Sequence, residues 1–181
     1  ASMKGSDGDF TFQNIKLEGV TYAWKYDSQN NYWKASAFAG GVNNPTESWL
    51  VSTEIDLSGA TTPSLSFDAA INFLNGNNRA DFIEAKISAD YVDNVTTATC
   101  ATLNATWSEG KNSTFVNSGA IDLKDYVGKK VRLAFAYKST SACAPTIEIK
   151  NISVTEPKNG YYADVYLYKE VPENEVETAS A

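Results

Sequence analysis

This 181-residue chain predicts an all-β fold, two antiparallel sheets packed as a jelly-roll β-sandwich. Three observations carry that reading. Apolar and polar residues alternate with period two in at least four segments, which buries one face of each. Aromatics make up 12% of the chain beside abundant Thr, Ser, Asn and Val, and no segment has convincing helical periodicity. Turn-forming clusters such as Asn43-Asn44-Pro45 and Ser58-Gly59 cut the apolar runs to strand length.

Residues 1–8 are small, polar and Gly-containing, and are expected to be disordered, with a single domain over 9–168. Residues 9–17 alternate, with Phe10 and Phe12 in phase and Ile15 out by one, and predict the first strand. Residues 19–24 predict a second, short one. A polar turn over 27–31 separates Trp24 and Tyr26 from Tyr32 and Trp33. Residues 47–57 form the stretch the chain is organised around, a strand leaving through Ile55-Asp56-Leu57, a phrase echoed at Ile121-Asp122-Leu123.

Residues 64–71 alternate cleanly, with Leu65, Phe67, Ala69 and Ile71 on one face. The Asn- and Gly-rich residues 72–79 predict a loop, and 82–88 another strand. Residues 90–117 are the least regular stretch, with Trp107 their large anchor. Residues 131–137 give the clearest strand. Over 147–154 the inward pairs Ile147/Ile149 and Ile152/Val154 are offset by one, so a β-bulge is expected near Lys150-Asn151. An added edge strand is expected over 159–168, and an acidic, disordered tail over 169–181. The expected core includes Trp49, Leu65, Phe67, Ile83, Ile87, Leu133, Phe135, Ile149 and Ile152.

Several function classes are disfavoured. A net charge of −7 without a Lys/Arg cluster argues against nucleic acid, and no apolar stretch approaches the ~18 residues of a spanning helix. The chain has no His, which removes the usual general base and the commonest zinc ligand, so no catalytic activity is expected. Glu54-Ile55-Asp56 resembles the start of a β-glucanase catalytic strand. The second Glu of that pattern would fall at Gly59 and is missing.

The order of short phrases carries a resemblance. Trp33-Lys34-Ala35-Ser36 is followed by Glu47-Ser48-Trp49-Leu50-Val51-Ser52, Leu65-Ser66-Phe67-Asp68, Lys86-Ile87-Ser88 and Thr106-Trp107. Then come Tyr126-Val127-Gly128-Lys129, Leu133-Ala134-Phe135-Ala136-Tyr137 and Ile147-Glu148-Ile149-Lys150-Asn151-Ile152. Over roughly residues 9–154 the chain resembles the choice-of-anchor J or cleaved-adhesin jelly-roll domains of Bacteroidetes-type bacteria, which are distantly MAM-like. The resemblance implies an extracellular or outer-membrane-surface location, and a monomeric module within a larger multidomain protein. Related jelly rolls hold a structural Ca²⁺ near the first and last strands, which makes Asp9, Asp68 and Asn151 candidate ligands. Lys150 stands where that pattern often carries Asp, so the expectation is no cofactor, with an Asp68–Lys150 ion pair in its place. In such a setting an even cysteine count favours a Cys100–Cys143 disulfide over two free thiols.

Two readings of function follow, with a glycoside hydrolase behind both. The first is a non-catalytic glycan-binding module, the second a structural or adhesive spacer with no small ligand. For the first, Trp24, Tyr26, Tyr32 and Trp33 around their turn are the candidate sugar platform, and Asn75, Asn77 and Arg79 the polar partners. The partner expected is a polysaccharide or surface glycan.

Overall fold

The computed structural model describes residues 2–3, 9–158 and 161–164, and the side chains of 9–156. In chain order the strands are β1 (Ser2–Met3), β2 (Phe10–Leu17), β3 (Trp24–Asp27), β4 (Tyr32–Ala35), β5 (Phe38–Ala39), β6 (Val42–Asn43), β7 (Thr46–Ser52) and β8 (Ile55–Asp56). There follow β9 (Ser64–Asn72), β10 (Ile83–Ser88), β11 (Ala101–Thr102), β12 (Asn112–Asn117), β13 (Ile121–Asp122), β14 (Lys130–Ser139), β15 (Thr146–Lys158) and β16 (Tyr161–Asp164). Helical geometry among the described residues is confined to short 3₁₀ turns at Arg79–Asp81 and Lys124–Tyr126.

Two antiparallel sheets pack as a sandwich. The first runs β12-β9-β15-β4-β3, with β13 on β9 and both β1 and β16 on β15; the second runs β11-β10-β14-β7-β2, with β8 on β14. The hairpin β5–β6 stands apart from both. Strand β15 shows the expected bulge: its register on β9 shifts between Lys150 and Ser153, where Asn151 takes φ +52°. Asn tolerates that left-handed geometry, and the extra residue returns Ile152 and Val154 to the buried face of Ile147 and Ile149.

The long outer edge of β15 is covered in turn by β4, β1 and β16. An uncovered edge is a row of unpaired N–H and C=O groups, which accounts for a strand at Ser2–Met3 where disorder was expected. Of the added edge strand, Tyr161–Asp164 pairs with β15, while 165–168 and the acidic tail lie outside the described residues. Residues 19–23 are a turn rather than the start of a strand, because Gly19 sits at φ +74° and pairing begins only at Trp24.

The core lies between the sheets. Leu65, Phe67, Ile149 and Ile152 face Leu50, Ile83, Ile87, Leu133 and Phe135, all nearly inaccessible, with Phe67 and Phe135 meeting edge to face at 5.0 Å. Trp49 is buried but on the other side of its sheet. Leu50 has the inward parity in β7, so Trp49 joins Val51, Val95, Ala134 and Ala136 in a satellite cluster under the 90–100 segment. Gln13 fastens that segment by donating to the Asp93 carbonyl at 2.7 Å and accepting from Val95 N at 2.8 Å.

Candidate functional site

The aromatic group around the 28–31 turn is mostly core. Trp24 and Trp33 are each only 2% exposed, because β3 and β4 pair so that both indoles share the inward parity. The Trp24 Nε1–H donates to the Ser48 carbonyl at 3.0 Å, and its ring meets Tyr137 edge-on at 6.3 Å. Trp33 is enclosed by Phe10, Phe12 and Tyr26, with ring centroids 5.0–5.7 Å away. These two tryptophans therefore cannot form a sugar platform. Tyr26 is half-buried against Trp33. Tyr32 alone of the four points outward, its ring 6.1 Å from Phe115 across the outer face of the first sheet. Burial, with Glu148 and Asp27 nearby, pushes its phenol above the usual range.

The expected polar partners follow β9, on the other side of β15. Tyr32 pairs with Asp27 beside the turn, next to the Trp33–Ile149 pair, whereas Asn72, where the Asn-rich loop begins, pairs with Thr146 on the far edge of β15. Asn75 takes φ +54° in that loop, and Asn77 donates its amide to the Leu74 carbonyl at 2.8 Å. Arg79 is occupied structurally. Its Nη1 donates to the Ile83 carbonyl at 2.7 Å and pairs with Glu84 at 3.2 Å, and its guanidinium lies 5.1 Å from the Trp107 ring centroid.

Of the expected metal ligands, Asp9 stands apart from Asp68 and Asn151. Asp9 belongs to the second sheet's side, its carbonyl accepting from Thr53 N at 2.8 Å. On the first sheet Asp68 accepts amide hydrogens from Asn117 and Asn151, each at 2.8 Å. Lys150, the register partner of Asp68, forms no ion pair with it and instead places its ammonium 4.0 Å from the Phe115 ring centroid. Among the described residues no three Asp, Glu, His or Cys side chains gather as a metal group would require.

The two cysteines are free thiols, not a disulfide. Cys143 is buried, its Sγ 3.5 Å from the Phe73 carbonyl oxygen, while Cys100 packs on the satellite cluster outside the second sheet. Burial pushes both thiols up, away from the thiolate form needed for reactivity. Glu54 is a strand-end residue 3.8 Å from Lys130.

A different place has the shape of a binding site. A cleft of about 720 Å³ opens between the 19–23 turn, the outer ends of β3 and β4, and the β5–β6 hairpin. Tyr22 and Phe38 stand in its wall 54% and 57% exposed, with hydroxyls from Thr21, Ser36 and Thr146 beside them. Lys25 and Lys34 complete the lining, and no carboxylate contributes to it. Size and mixture match small-ligand sites, which run ~300–1,000 Å³ with apolar walls and a few polar groups.

The support beneath this cleft is rigid. Buried Asn44 donates its side-chain amide to the carbonyls of Ala37 at 3.0 Å and Val42 at 3.2 Å, and so holds the hairpin that presents Phe38. Its other amide atom, Oδ1, lies directly against Gly19, where a Cβ would sit 2.1 Å away. The 19–23 turn is tied at its two ends by backbone bonds from Glu18 N to the Pro45 carbonyl at 3.2 Å and from Ser36 N to the Ala23 carbonyl at 3.1 Å. Below it the Tyr137 hydroxyl accepts from Ala37 N at 3.1 Å and donates to the Pro145 carbonyl at 2.8 Å. Burial pushes that phenol far above its ordinary range, so it stays a neutral donor.

Sequence reasoning missed Tyr22, Phe38, Lys25, Lys34 and Asn44. One signal was available: once Trp24 and Trp33 are taken as inward, alternation puts Lys25 and Lys34 outward. The closeness of the 19–23 turn to the β5–β6 hairpin had no local signal.

The fold is a β-sandwich of two antiparallel sheets. Among solved structures it is similar to the K1 cleaved adhesin domain of Lys-gingipain from Porphyromonas gingivalis W83, with TM-score 0.56 and 15% identity over 87% of this chain and 97% of that one. It is also similar to a structure described as showing the promiscuous specificity of carbohydrate-binding modules from the β-sandwich superfamily. There the TM-score is 0.51, with 13% identity over 84% of this chain and 59% of that one. No protein-family model matches the sequence, and no curated protein does. The likeness is therefore one of fold.

Proposed function

We propose that this chain is a non-catalytic glycan-binding module of a surface or secreted protein, of the choice-of-anchor J kind its phrases resemble, and that Tyr22 and Phe38 form its sugar platform. The observation that carries this reading is two large exposed aromatics in one rigid-walled cleft beside hydroxyl groups. Apolar rings left open to solvent stack on sugar faces, while hydroxyls and amines answer the sugar's own hydroxyls. The shared fold with a carbohydrate-binding module adds support. With two stacks of ~0.5–1.5 kcal/mol each and a few hydrogen bonds, the expected Kd is ~10⁻³–10⁻⁵ M.

Tyr22→Ala and Phe38→Ala are each expected to weaken binding of a responding oligosaccharide about 2- to 13-fold, from the loss of one such stack. The melting temperature should stay within about 2 °C, since neither side chain is core. Glycan-array screening followed by titration calorimetry on wild type and variants tests this. No binding across a broad array at millimolar concentration would leave the spacer reading standing.

This reading has no place for a metal at Asp68. Both carboxylate oxygens already accept amide hydrogens, and the Asn117 orientation is fixed by its Oδ1 accepting from Gly119 N at 2.9 Å. Treatment with a chelator is expected to leave the melting temperature unchanged within a degree. A fall of several degrees, reversed by Ca²⁺, would overturn it.

A further inference from the structure

We infer that the cleft takes an anionic sugar, a pyranoside bearing a carboxylate or sulfate, with the charged group held between Lys25 and Lys34. The inference rests on the cleft being the glycan site.

Lys25 and Lys34 are direct register partners on β3 and β4, both exposed and both on the outer face. Side chains directly opposite in an antiparallel pair have Cβ atoms only ~4.5–5.5 Å apart, and like charges there destabilise the sheet. The other described cations are not left in this state. Lys16, Arg79, Lys111, Lys124, Lys130 and Lys138 each have a carboxylate partner. Lys86, Lys129, Arg132 and Lys150 each lie over an aromatic ring. Among the described lysines and arginines, only Lys25 and Lys34 have neither, and both line the one cleft that also holds two exposed rings.

The charged groups nearby do not cancel the pair. Glu148 stands opposite Lys34 on β15, partly buried, and burial raises its carboxyl while Lys34 opposes that rise. It forms no ion pair with either lysine, and it neutralises at most one of the two ammoniums. Asp27, farther along β3, is occupied by its own turn, accepting from Gln29 N and Asn30 N at 3.0 Å. A bound anion would relieve the like-charge opposition that the free protein carries. That gain is available to a uronate or a sulfated sugar and not to a neutral one. It also gives a chain of net charge −7 a local positive site for a ligand its overall field would repel.

The test is calorimetric titration of the whole chain with an oligogalacturonate, the same oligomer methyl-esterified, dextran sulfate and dextran. At ~50 mM salt the anionic member of one pair is expected to bind about tenfold tighter than its neutral counterpart. That preference should shrink severalfold at ~500 mM, where the Debye length falls below ~5 Å. Which pair shows the preference distinguishes carboxylate from sulfate. The Lys25→Gln/Lys34→Gln variant should lose the preference, binding the anionic and neutral members alike, with a melting temperature equal to or slightly above wild type. If neutral and anionic members bind alike and Tyr22→Ala weakens both, the cleft is the glycan site and the anion inference fails. If the double variant keeps the preference, the inference fails likewise. If none of the four binds, this inference falls, and the separate array result decides the proposed function.

Discussion

Phe135→Ala is expected to lower the free energy of unfolding by about 3–5 kcal/mol, measured by denaturant titration. Phe135 is 1% exposed at the centre of β14, and its ring meets Phe67 of the facing sheet at 5.0 Å. Its strand is hydrogen-bonded on both sides, to β10 and β7, so the backbone cannot move in to fill the space left by the ring. Deleting a core phenyl between two pinned sheets costs the transfer energy of the ring and a term for the cavity that stays open. The denaturant dependence m should be nearly unchanged, because the same surface is exposed on unfolding. A loss under about 1 kcal/mol would mean that the sandwich can close over the gap, contrary to the two-sided pairing.

Gly19→Ala is expected to cost about 2–5 kcal/mol and to abolish glycan binding, from one added methyl group. Part of that cost is conformational. Gly19 has φ +74°, where an L-residue is strained by ~1–2 kcal/mol. The remainder is steric, since the new Cβ would stand 2.1 Å from Asn44 Oδ1. To make room, the buried Asn44 amide must release carbonyls it now satisfies, exposing a penalty of ~1–3 kcal/mol. Gly40→Ala is the internal control. It has φ +62° but nothing within 4 Å of its Cβ position, so only the conformational cost of about 1 kcal/mol applies. Equal losses in the two variants would show that the Asn44 contact does not hold the cleft.

How much of this was written in the sequence differs by level. Period-two alternation determined the sandwich, because a strand with one apolar face must bury it against another sheet. The offset between Ile149 and Ile152 was enough to locate the bulge at Lys150-Asn151, since only an extra residue returns both pairs to one face. Trp49 shows the limit of that reasoning. Alternation says that Trp49 and Leu50 face opposite ways but not which way is in; the facing sheet buries Leu50, and the covering 90–100 segment buries Trp49 on the other side.

The site lay further out of reach. Aromatics flanking a polar turn have the same sequence signature whether they face core or solvent, and pairing between β3 and β4 put Trp24 and Trp33 inside. Cys100 and Cys143 offered an even count, but the second sheet separates their environments. The cleft itself was decided by tertiary structure alone. The fold brings Asn44, 25 positions along the chain, against the backbone of Gly19, while the Asn44 amide nitrogen holds the hairpin of Phe38. A contact of that kind depends on distance in space, which no local pattern of residue types encodes.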